Sequence, residues 1–390
     1  MIDRRQWILL AGASGATLTL GKLSTALAAS DASKVRQAVD DAVKPVIAKY
    51  GITGMAVGVT LDGTRHFVEY GSASPKAHVA VTRDTLFELG SISKTFTATL
   101  TMMAVQDIKL ALADTVGRHV PELKDSPIGA VRLLDLGTHT GGGFPLQLPD
   151  DVKTEAQLMD WYRAWKPKFP AGTMRTYANP SIALLGIATA RAMGEDFKTL
   201  AERRLFPALG LTRTYIDVPA AEMPSYAWGT SGAGKAVHVS PSPIADEAYG
   251  VKSNTVDMLR VLEVNMGVGS ADDAVARAAT ATHTGYYRTG PFIQDLVWEQ
   301  YLTPAKLDDL MTGNSPEIGG GNPIPATAIQ PPMPPRADAL LNKTGSTGGF
   351  GAYVVFIPEK KFGMVMLANK TYPNPARAKA AYEVLARVVG

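Results

Sequence analysis

Segments typical of β-strands lie near both ends of this chain and enclose a long helical region. Residues 55–61 and 65–70 are β-prone and flank a tight turn, and residues 352–357 and 362–367 form a second pair of the same kind. Between the two pairs, roughly residues 90–225 are rich in alanine and leucine at helical spacing. The simplest arrangement is an α+β fold, in which helices flank an antiparallel sheet and a helical insertion interrupts it.

Helices are also predicted near the two ends of the chain. Residues 31–50 carry valines at helical spacing, and a final helix is expected over residues 375–389. Residues 319–335 are rich in glycine and proline, which predicts a loop before a strand that starts at Lys343.

The bulk composition fits a folded globular enzyme, and the length is enough for two packed subdomains or one large core. The chain has 390 residues, of which 46% are hydrophobic and 19% charged, so it can bury a large core and is not of the disordered class. We expect an α/β sandwich domain with an antiparallel sheet, from about residues 29–90 and 226–390. An all-helical domain is expected from about residues 91–225.

Residues 1–28 have the pattern of a cleavable export signal. The pair Arg4-Arg5 precedes an apolar stretch over residues 7–20, and Ala26-Leu27-Ala28 is a small-residue cleavage site. Paired arginines are typical of twin-arginine export, although an acidic neighbour is unusual there and an ordinary secretory signal is the alternative. The apolar stretch is too short for a stable membrane span. We therefore expect a periplasmic protein without stable membrane insertion after processing.

Charge and cysteine content exclude several classes of function. The net charge is +3, and the leader contributes +2 of it (Arg4, Arg5 and Lys22 against Asp3), which leaves about +1 and gives no argument for nucleic acid. The absence of cysteine excludes disulfides, thiolate metal sites and a cysteine nucleophile. The six histidines show no paired ligand spacing, so we expect no metal or cofactor and place most of them at the surface or in loops.

Three short motifs carry the chemistry: Ser91-Ile92-Ser93-Lys94, Tyr177-Ala178-Asn179 and Lys343-Thr344-Gly345. On a helix, the side chains of Ser91 and Lys94 share one face, so the ammonium lies beside the hydroxyl and favours the alkoxide. A serine hydroxyl is a poor nucleophile until a base removes its proton. Together the motifs supply a nucleophile, a proton acceptor and two cations, which suits acyl transfer through a serine.

Each motif alone has an ordinary alternative. A Ser-x-x-Lys pair is usually a solvated helix face, and Lys-Thr-Gly by itself is typical of a turn. Tyr-x-Asn occurs twice, at Tyr177 and in Tyr372-Pro373-Asn374, and the second copy belongs with the start of the final helix. The interpretation therefore depends on the flanking residues and on the order of the motifs.

The flanking residues resemble those of class C serine β-lactamases. Matching segments agree in order over residues 87–97, 141–147, 177–182, 248–253, 343–353, 356–360, 366–370 and 372–377. The resemblance covers nearly all of the chain after residue 30. It implies the fold predicted above, with the active site between the sheet and the helical part.

This resemblance implies hydrolysis of the β-lactam amide of cephalosporins and penicillins through a serine acyl-enzyme, which confers antibiotic resistance. The partner is then the small-molecule β-lactam, with a bias towards cephalosporins, and a monomer is the default. No Ser-Asp-Asn motif is present and Tyr177-Ala178-Asn179 takes its place, which points away from class A enzymes. The alternative is a DD-peptidase, an esterase or a slowly deacylating penicillin-binding protein of the same fold, because fold does not separate them.

In this interpretation Ser91 is the nucleophile and Tyr177 the proton acceptor or relay. A free phenol titrates near pH ~10, so Tyr177 acts as a base only if Lys94 and Lys343 favour its phenolate. Whether Tyr177 or Lys94 takes the first proton stays open, and we treat the two as a coupled unit. The backbone N–H groups of Ser91 and Ser346 are expected to bind the oxyanion, and the loss of one such donor typically costs ~10²–10³ in rate.

Seven residues are expected to bind the substrate: Gln147, Asn179, Tyr249, Thr344, Gly345, Asn374 and Arg377. Thr344, with Lys343, offers its side chain to the substrate carboxylate, and Gly345 lets the substrate lie close to the strand backbone. The resemblance implies that the amides of Gln147 and Asn179 bond the acylamino side chain of the β-lactam.

The resemblance also implies an aromatic wall at Tyr249 and contacts from Asn374 and Arg377 with the carboxylate. Core packing is the ordinary alternative for Tyr249, and a helix cap is the alternative for the other two. The chain departs from the family pattern at Asp295 and Val297, which stand where glycines are usual, at Thr371, which replaces a frequent asparagine, and at His139, which replaces a frequent tyrosine. These departures put the substrate range in doubt.

Overall fold

The computed structural model describes residues 14–74, 78–269 and 271–390. Within these ranges the centre of the molecule is a ten-stranded antiparallel sheet, with the strand order β13-β9-β10-β11-β14-β15-β16-β1-β2-β3. Its strands are β1 (Gly54–Leu61), β2 (Thr64–Ser74), β3 (Val79–Ala80), β9 (Gly285–Arg288), β10 (Ile293–Gln294), β11 (Glu299–Tyr301), β13 (Thr327–Met333), β14 (Leu340–Ser346), β15 (Gly351–Ile357) and β16 (Phe362–Ala368). The shorter strands form two-stranded pairs: β4 (Phe87–Glu88) with β8 (Lys252–Ser253), β5 (Met174–Arg175) with β12 (Ile324–Pro325), and β6 (Gly229–Thr230) with β7 (Ala236–Val237).

The sheet joins the two ends of the chain, as the sequence predicted. Strand β1 pairs antiparallel with β16, from Met55 opposite Ala368 to Leu61 opposite Phe362. Along β15 the side chains alternate between two cores, because successive strand residues point to opposite faces. Val354 packs in one buried cluster and Val355 in the other. The α+β fold with helices on both faces of an antiparallel sheet is therefore confirmed.

Two terminal helices cover one face of the sheet, and internal helices cover the other. The helices are α1 (Ser14–Tyr50), α2 (Lys94–Gln106), α3 (Val116–His119), α4 (Leu133–Gly137), α5 (Glu155–Ala164), α6 (Asn179–Met193), α7 (Phe197–Thr199), α8 (Phe206–Ala208), α9 (Ala245–Ala248), α10 (Thr255–Asn265), α11 (Asp273–Ala281), α12 (Leu307–Gly313), α13 (Pro316–Gly319) and α14 (Asn374–Val388). Val39 of α1 and Val384 of α14 share one core, whereas Phe96 of α2 and Leu259 of α10 lie in the core on the opposite face.

Helix α1 extends further towards the amino terminus than the predicted segment 31–50. It begins at Ser14 and so includes part of the predicted leader, while residues 1–13 lie outside the described ranges. No helix in the described part of the chain combines the length and apolar character needed to cross a membrane.

The middle of the chain has an apolar core of its own. Leu133, Leu158 and Leu184, from three different helices, belong to a buried cluster that contains no residue of the large sheet. Other residues of the middle segment, such as Phe96 and Phe206, pack with the sheet in a shared core, so the division into an α/β part and a helical part stays a prediction.

One predicted loop is a strand. Part of the segment 319–335 forms β13, which pairs with β9 at the edge of the sheet. Pro331 and Pro332 are compatible with this position because an edge strand does not need every backbone N–H for the ladder. Strand β14 begins at Leu340, so Lys343 lies in the middle of the strand and not at its start.

Candidate active site

The turn that carries Ser91 is held against strand β14 by two glycines. Ser91 lies in a one-turn 3₁₀-helix, Gly90–Ser93, that leads into α2. Gly90 has φ +54°, and a Cβ there would lie 2.4 Å from the backbone N of Ser346. A Cβ on Gly345 would lie 1.9 Å from the carbonyl oxygen of Leu89. The absent side chain of Gly345 thus accommodates the nucleophile turn, and not only the substrate as predicted.

Lys94 is fully buried beneath Ser91. Its Nζ donates to Ser91 Oγ at 2.9 Å, to Asn179 Oδ1 at 2.6 Å and to the carbonyl oxygen of Ala248 at 2.8 Å. These bonds use all three donors of an ammonium group. Burial lowers the pKa of Lys94 to about 8, since the repulsion of Lys343 adds to it and the attraction of Tyr177 only partly opposes it.

Tyr177 lies between the two lysines. The Nζ atoms of Lys343 and Lys94 lie 4.9 Å and 5.3 Å from the centroid of its ring. Its hydroxyl is buried and makes no hydrogen bond of normal geometry to any residue that the structure describes. Burial alone would raise the pKa of Tyr177, but the two ammonium groups and the Ser91 hydroxyl lower it to about 8. Tyr177 and Lys94 therefore titrate in the same range, as a coupled pair.

A buried ion network supports the tyrosine from below, and sequence reasoning missed it. Arg175 Nη2 donates to Glu299 Oε1 at 2.9 Å, and its Nε donates to Gln294 Oε1 at 2.6 Å. Glu299 Oε1 also lies 3.9 Å from Lys343 Nζ, and the guanidinium carbon of Arg175 lies 5.5 Å from the Tyr177 ring centroid. No local motif signals Glu299, because the pairing of β11 with β14 brings it to the site.

His139 is buried beside Tyr177, with ring centroids 4.5 Å apart. It has φ +59°, and its Nδ1 accepts the N–H of Ala178 at 3.3 Å. Burial, with the charges of Arg175, Lys94 and Lys343, holds the pKa of His139 well below its ordinary value, so the imidazole is neutral. His139 and His283 both lie in turns that follow helices, which agrees with the expected loop position, but both are buried.

Two adjoining cavities open onto Ser91. One of about 210 Å³ is lined by most of the predicted site residues, namely Ser91, Gln147, Tyr177, Asn179, Lys343, Thr344, Gly345, Ser346 and Asn374, together with Glu299. The second, of about 310 Å³, shares Ser91, Gln147, Asn179 and Ser346 and adds Tyr249. Within the described residues there is no group of three His, Asp or Glu side chains arranged to hold a metal ion.

Arg377 does not line either cavity. Its side chain is fully buried, and it donates to the carbonyl oxygens of Gly345 at 2.6 Å and Ala352 at 3.1 Å and to Ser346 Oγ at 3.0 Å. The structure therefore does not bring Arg377 to the cavities with the other predicted residues, because the guanidinium holds the end of β14. Asn374 lines the cavity as the first residue of α14, which has Pro373 at its N-cap.

Comparison with known proteins agrees with this geometry. Residues 39–388 match the family model described as Beta-lactamase. A β-lactamase of Pseudomonas fluorescens is 43% identical over 354 residues, which cover 91% of this chain and 99% of the relative. This chain therefore belongs to the β-lactamase family.

Solved structures place the chain close to two kinds of enzyme. It is 44% identical to a class C β-lactamase solved in complex with cefoxitin, with a TM-score of 0.89, and the match covers 91% of this chain and 99% of the other. A structure from Pseudomonas syringae, described as a β-lactamase/D-alanine carboxypeptidase, is 46% identical with a TM-score of 0.88, over 90% and 98% of the two chains.

Proposed function

We propose that this protein is a class C serine β-lactamase, which hydrolyses the β-lactam amide of cephalosporins and penicillins and so confers antibiotic resistance. The observation that carries the proposal is the contact of Ser91 Oγ with the buried ammonium of Lys94, beside a tyrosine whose pKa is lowered to about 8. A hydroxyl held next to a base that titrates near neutral pH is an activated nucleophile.

In acylation, Ser91 Oγ attacks the lactam carbonyl carbon while its proton passes to the Lys94–Tyr177 pair, and the proton then goes to the lactam nitrogen as the C–N bond breaks. The backbone N–H of Ser91 lies in the first turn of a helix, where N–H groups lack intrahelical partners and can donate to the oxyanion. The close approach of Gly90 to the backbone N of Ser346 brings the second proposed donor next to the first.

Deacylation reverses the proton path. A water molecule gives a proton to Tyr177 and attacks the ester carbonyl, and the proton returns to Ser91 Oγ as the acyl group leaves. The ammonium groups of Lys343 and Lys94 lie beside the Tyr177 ring and favour the phenolate, whereas the charge of Glu299, which Arg175 partners, opposes it.

Substrate orientation follows from the polar groups that line the cleft. Lys343 and Thr344, with Asn374, are proposed to bind the carboxylate next to the lactam ring. Gln147 and Asn179 are proposed to bind the acylamino group. Because Asn179 Oδ1 accepts from Lys94, only its Nδ2 is left to donate to the acylamino carbonyl. Tyr249, on the side of the second cavity, is the proposed wall beside the acyl group.

Turnover of a chromogenic cephalosporin by the mature protein tests this function. We expect sustained hydrolysis by the wild-type protein and neither hydrolysis nor covalent labelling with Ser91→Ala. A single trapped equivalent without turnover would contradict the β-lactamase assignment and favour a penicillin-binding protein. Comparison of cephalothin with benzylpenicillin then tests the proposed cephalosporin bias.

The description of the Pseudomonas syringae structure supports a second candidate, D-alanine carboxypeptidase activity at the same site. A peptide that ends in D-Ala-D-Ala presents a carboxylate and an amide to the same serine and lysines. Release of D-alanine from such a peptide, absent in Ser91→Ala, would support this activity.

We also propose that residues 1–28 are a cleaved export signal and that the mature protein is a periplasmic monomer. The sequence pattern of the leader supports this proposal. Fractionation of expressing cells, with mass analysis of the exported form, is expected to show a periplasmic chain that begins near residue 29. A cytoplasmic chain that keeps Met1 would contradict it.

A further inference from the structure

A large cavity lies next to the proposed cleft and has no role in the mechanism above. Its volume is about 860 Å³, larger than that of either cavity at Ser91. It shares Lys153, Pro241 and Ser242 with the cavity that Ser91 and Tyr249 line, so the two spaces are neighbours. A molecule in one space is therefore within reach of the other.

A buried carboxyl group that no other residue partners lines this cavity. Glu247 is only 9% exposed, and within the described ranges its carboxyl group makes no hydrogen bond or ion pair with another residue; only its own backbone N–H favours its charged form. It passes close to helix α6 at Gly186, where a Cβ would lie 2.5 Å from Glu247 Cγ. A buried carboxyl group is costly when it is left unpaired, so this arrangement favours an external counter-ion.

The other acidic groups around the cavity make it more negative. Glu155, Glu195, Asp196 and Asp246 line it together with Glu247. Asp196 is engaged, because it accepts the N–H of Thr199 at the start of α7. Burial raises the pKa of Glu247 to about 8. Its own backbone N–H partly opposes this shift, and the charges of Asp246 and Glu155 add to it.

The basic groups that line the cavity are Lys153, Arg191 and Lys198, and two of them are already paired. Arg191 Nη2 lies 2.7 Å from Glu122 Oε1 and 3.7 Å from Glu155 Oε1, and Lys198 forms an ion pair with Asp217. None of the three contributes to the pKa of Glu247. In the described part of the chain the charge of Glu247 raises the pKa of two phenols, the buried Tyr162 and Tyr249 of the adjoining cavity.

The remaining walls are apolar. Leu158, Ile187 and Phe197 come from three helices, and Pro241 and Pro243 come from the opposite loop. A ligand that fits must therefore combine a positive charge with an apolar stem. An alkylammonium group has this chemistry, whereas an anion or a hydrated metal ion does not.

We propose that this cavity binds the ammonium group of an alkylamine, with Glu247 as counter-ion and the apolar walls around the alkyl stem. The amine is either a free diamine or the end of a β-lactam acyl side chain that carries an ammonium group. The second source rests on the function proposed above.

A ligand bound in this cavity also acts on the proposed catalytic residue Lys94, through the backbone of α9. The carbonyl oxygen of Glu247 accepts from Thr97 Oγ1 at 2.6 Å, and that of Ala248 accepts from Lys94 Nζ at 2.8 Å. A cation that draws Glu247 towards the cavity acts on a segment that is bonded to Lys94.

Direct binding of 1,5-diaminopentane, measured by titration calorimetry, tests the site without any need for hydrolysis. We expect affinity at least about tenfold higher at pH 9 than at pH 6.5, because Glu247 must ionise while an alkylammonium with a pKa near ~10.4 stays charged. The neutral isostere 1,5-pentanediol should not bind. Glu247→Gln should lower the affinity for the diamine by at least about tenfold, or about 1.4 kcal/mol. Asp125→Asn is the control, because it makes the same type of change at an exposed residue outside the cavity and should leave the affinity unchanged.

Equal affinity for the diamine and the diol, or for wild-type and Glu247→Gln protein, would overturn the proposal, as would the absence of binding at pH 9. If Glu247→Gln fails to fold, the contrast between diamine and diol in the wild-type protein decides the question.

A matched pair of cephalosporins distinguishes the two sources of the amine. One carries a 6-aminohexanoyl side chain and the other its N-acetyl derivative. If the substrate is the source, kcat/KM should favour the free amine at pH 9, and Glu247→Gln should abolish the preference. Equal kcat/KM values together with diamine binding would assign the site to a free amine. If neither compound is hydrolysed but the diamine binds, the proposed function fails and the site stands.

Discussion

At the scale of single residues, the site depends on two groups that titrate together. Burial lowers the pKa of Lys94 to about 8, and the neighbouring cations bring the pKa of Tyr177 to about 8 despite burial. Proton transfer between two groups of similar pKa needs little energy, so either of them can hold the proton taken from Ser91. The sequence left open which group first accepts the proton of Ser91. Because the two pKa values are similar, Lys94 and Tyr177 act together as the acceptor.

The pH profile of Tyr177→Phe tests this coupling. For the wild-type protein we expect kcat/KM to rise as pH increases through about 8, because the active form has lost one proton from the pair. Replacement of the phenol should lower kcat by about 10²–10⁴, the usual contribution of a general acid–base group. It should also move the remaining break to lower pH, because Tyr177 raises the pKa of Lys94. A profile that keeps its wild-type shape and rate would contradict the role of Tyr177.

Asp295, one of the departures from the family pattern, is a buried acid whose pKa no neighbouring charge among the described residues lowers. Both carboxyl oxygens are buried without a hydrogen-bond partner in the described part of the chain, and burial raises its pKa well above the ordinary value. A raised folded-state pKa means that the stability contribution is complete below the unfolded pKa of ~3.9 and is lost as pH rises towards the folded pKa.

Asp295→Asn removes this dependence on pH. We expect little change in the free energy of unfolding at pH 4 and a gain of about 1–3 kcal/mol at pH 8 by denaturant titration. Asp257 is the matched control, because its carboxylate accepts from the N–H groups of Thr212 and Arg213 and from the Thr214 hydroxyl. The same substitution there should destabilise the protein. A loss of stability at pH 8 in Asp295→Asn would show that the carboxyl group has a partner.

At the scale of elements, the position of the nucleophile depends on how closely its turn approaches β14. Gly90 contacts Ser346, and Gly345 contacts Leu89, so each segment needs a glycine where the other lies against it. Arg377 fixes the same end of β14 by donating to the carbonyl oxygen of Gly345 and the hydroxyl of Ser346. Backbone packing therefore fixes the positions of the two proposed oxyanion donors, the N–H groups of Ser91 and Ser346.

Gly345→Ala should separate the turn that carries Ser91 from strand β14. Its Cβ would lie 1.9 Å from the Leu89 carbonyl oxygen, a distance that forces backbone movement. We expect kcat to fall by at least about tenfold, since removal of one oxyanion donor costs ~10²–10³, together with a loss of about 1–3 kcal/mol in unfolding free energy. Gly232→Ala is the control, because nothing lies within 4 Å of its added Cβ. Wild-type kcat in Gly345→Ala would contradict the packing argument.

At the scale of the whole molecule, local patterns predicted what depends on local sequence. The two hairpins from opposite ends of the chain could be placed because their alternation and turns are local signals, and they meet as β1 beside β16. Arg175 and Glu299 could not be found this way, because they reach Tyr177 only through tertiary packing. The sequence predicts a loop over residues 319–335, whereas Thr327–Met333 form a strand. Proline is compatible with an edge strand as well as with a loop, so the local sequence does not distinguish the two.

The central claim is that Ser91 becomes covalently attached to the ring-opened β-lactam before water releases it. Rapid quenching of the protein with a cephalosporin, followed by peptide mass analysis, measures this directly. The account predicts an adduct on the peptide that contains Ser91, formed and lost within a turnover and missing from Ser91→Ala. An adduct on a different residue, or hydrolysis by Ser91→Ala at the wild-type rate, would contradict it.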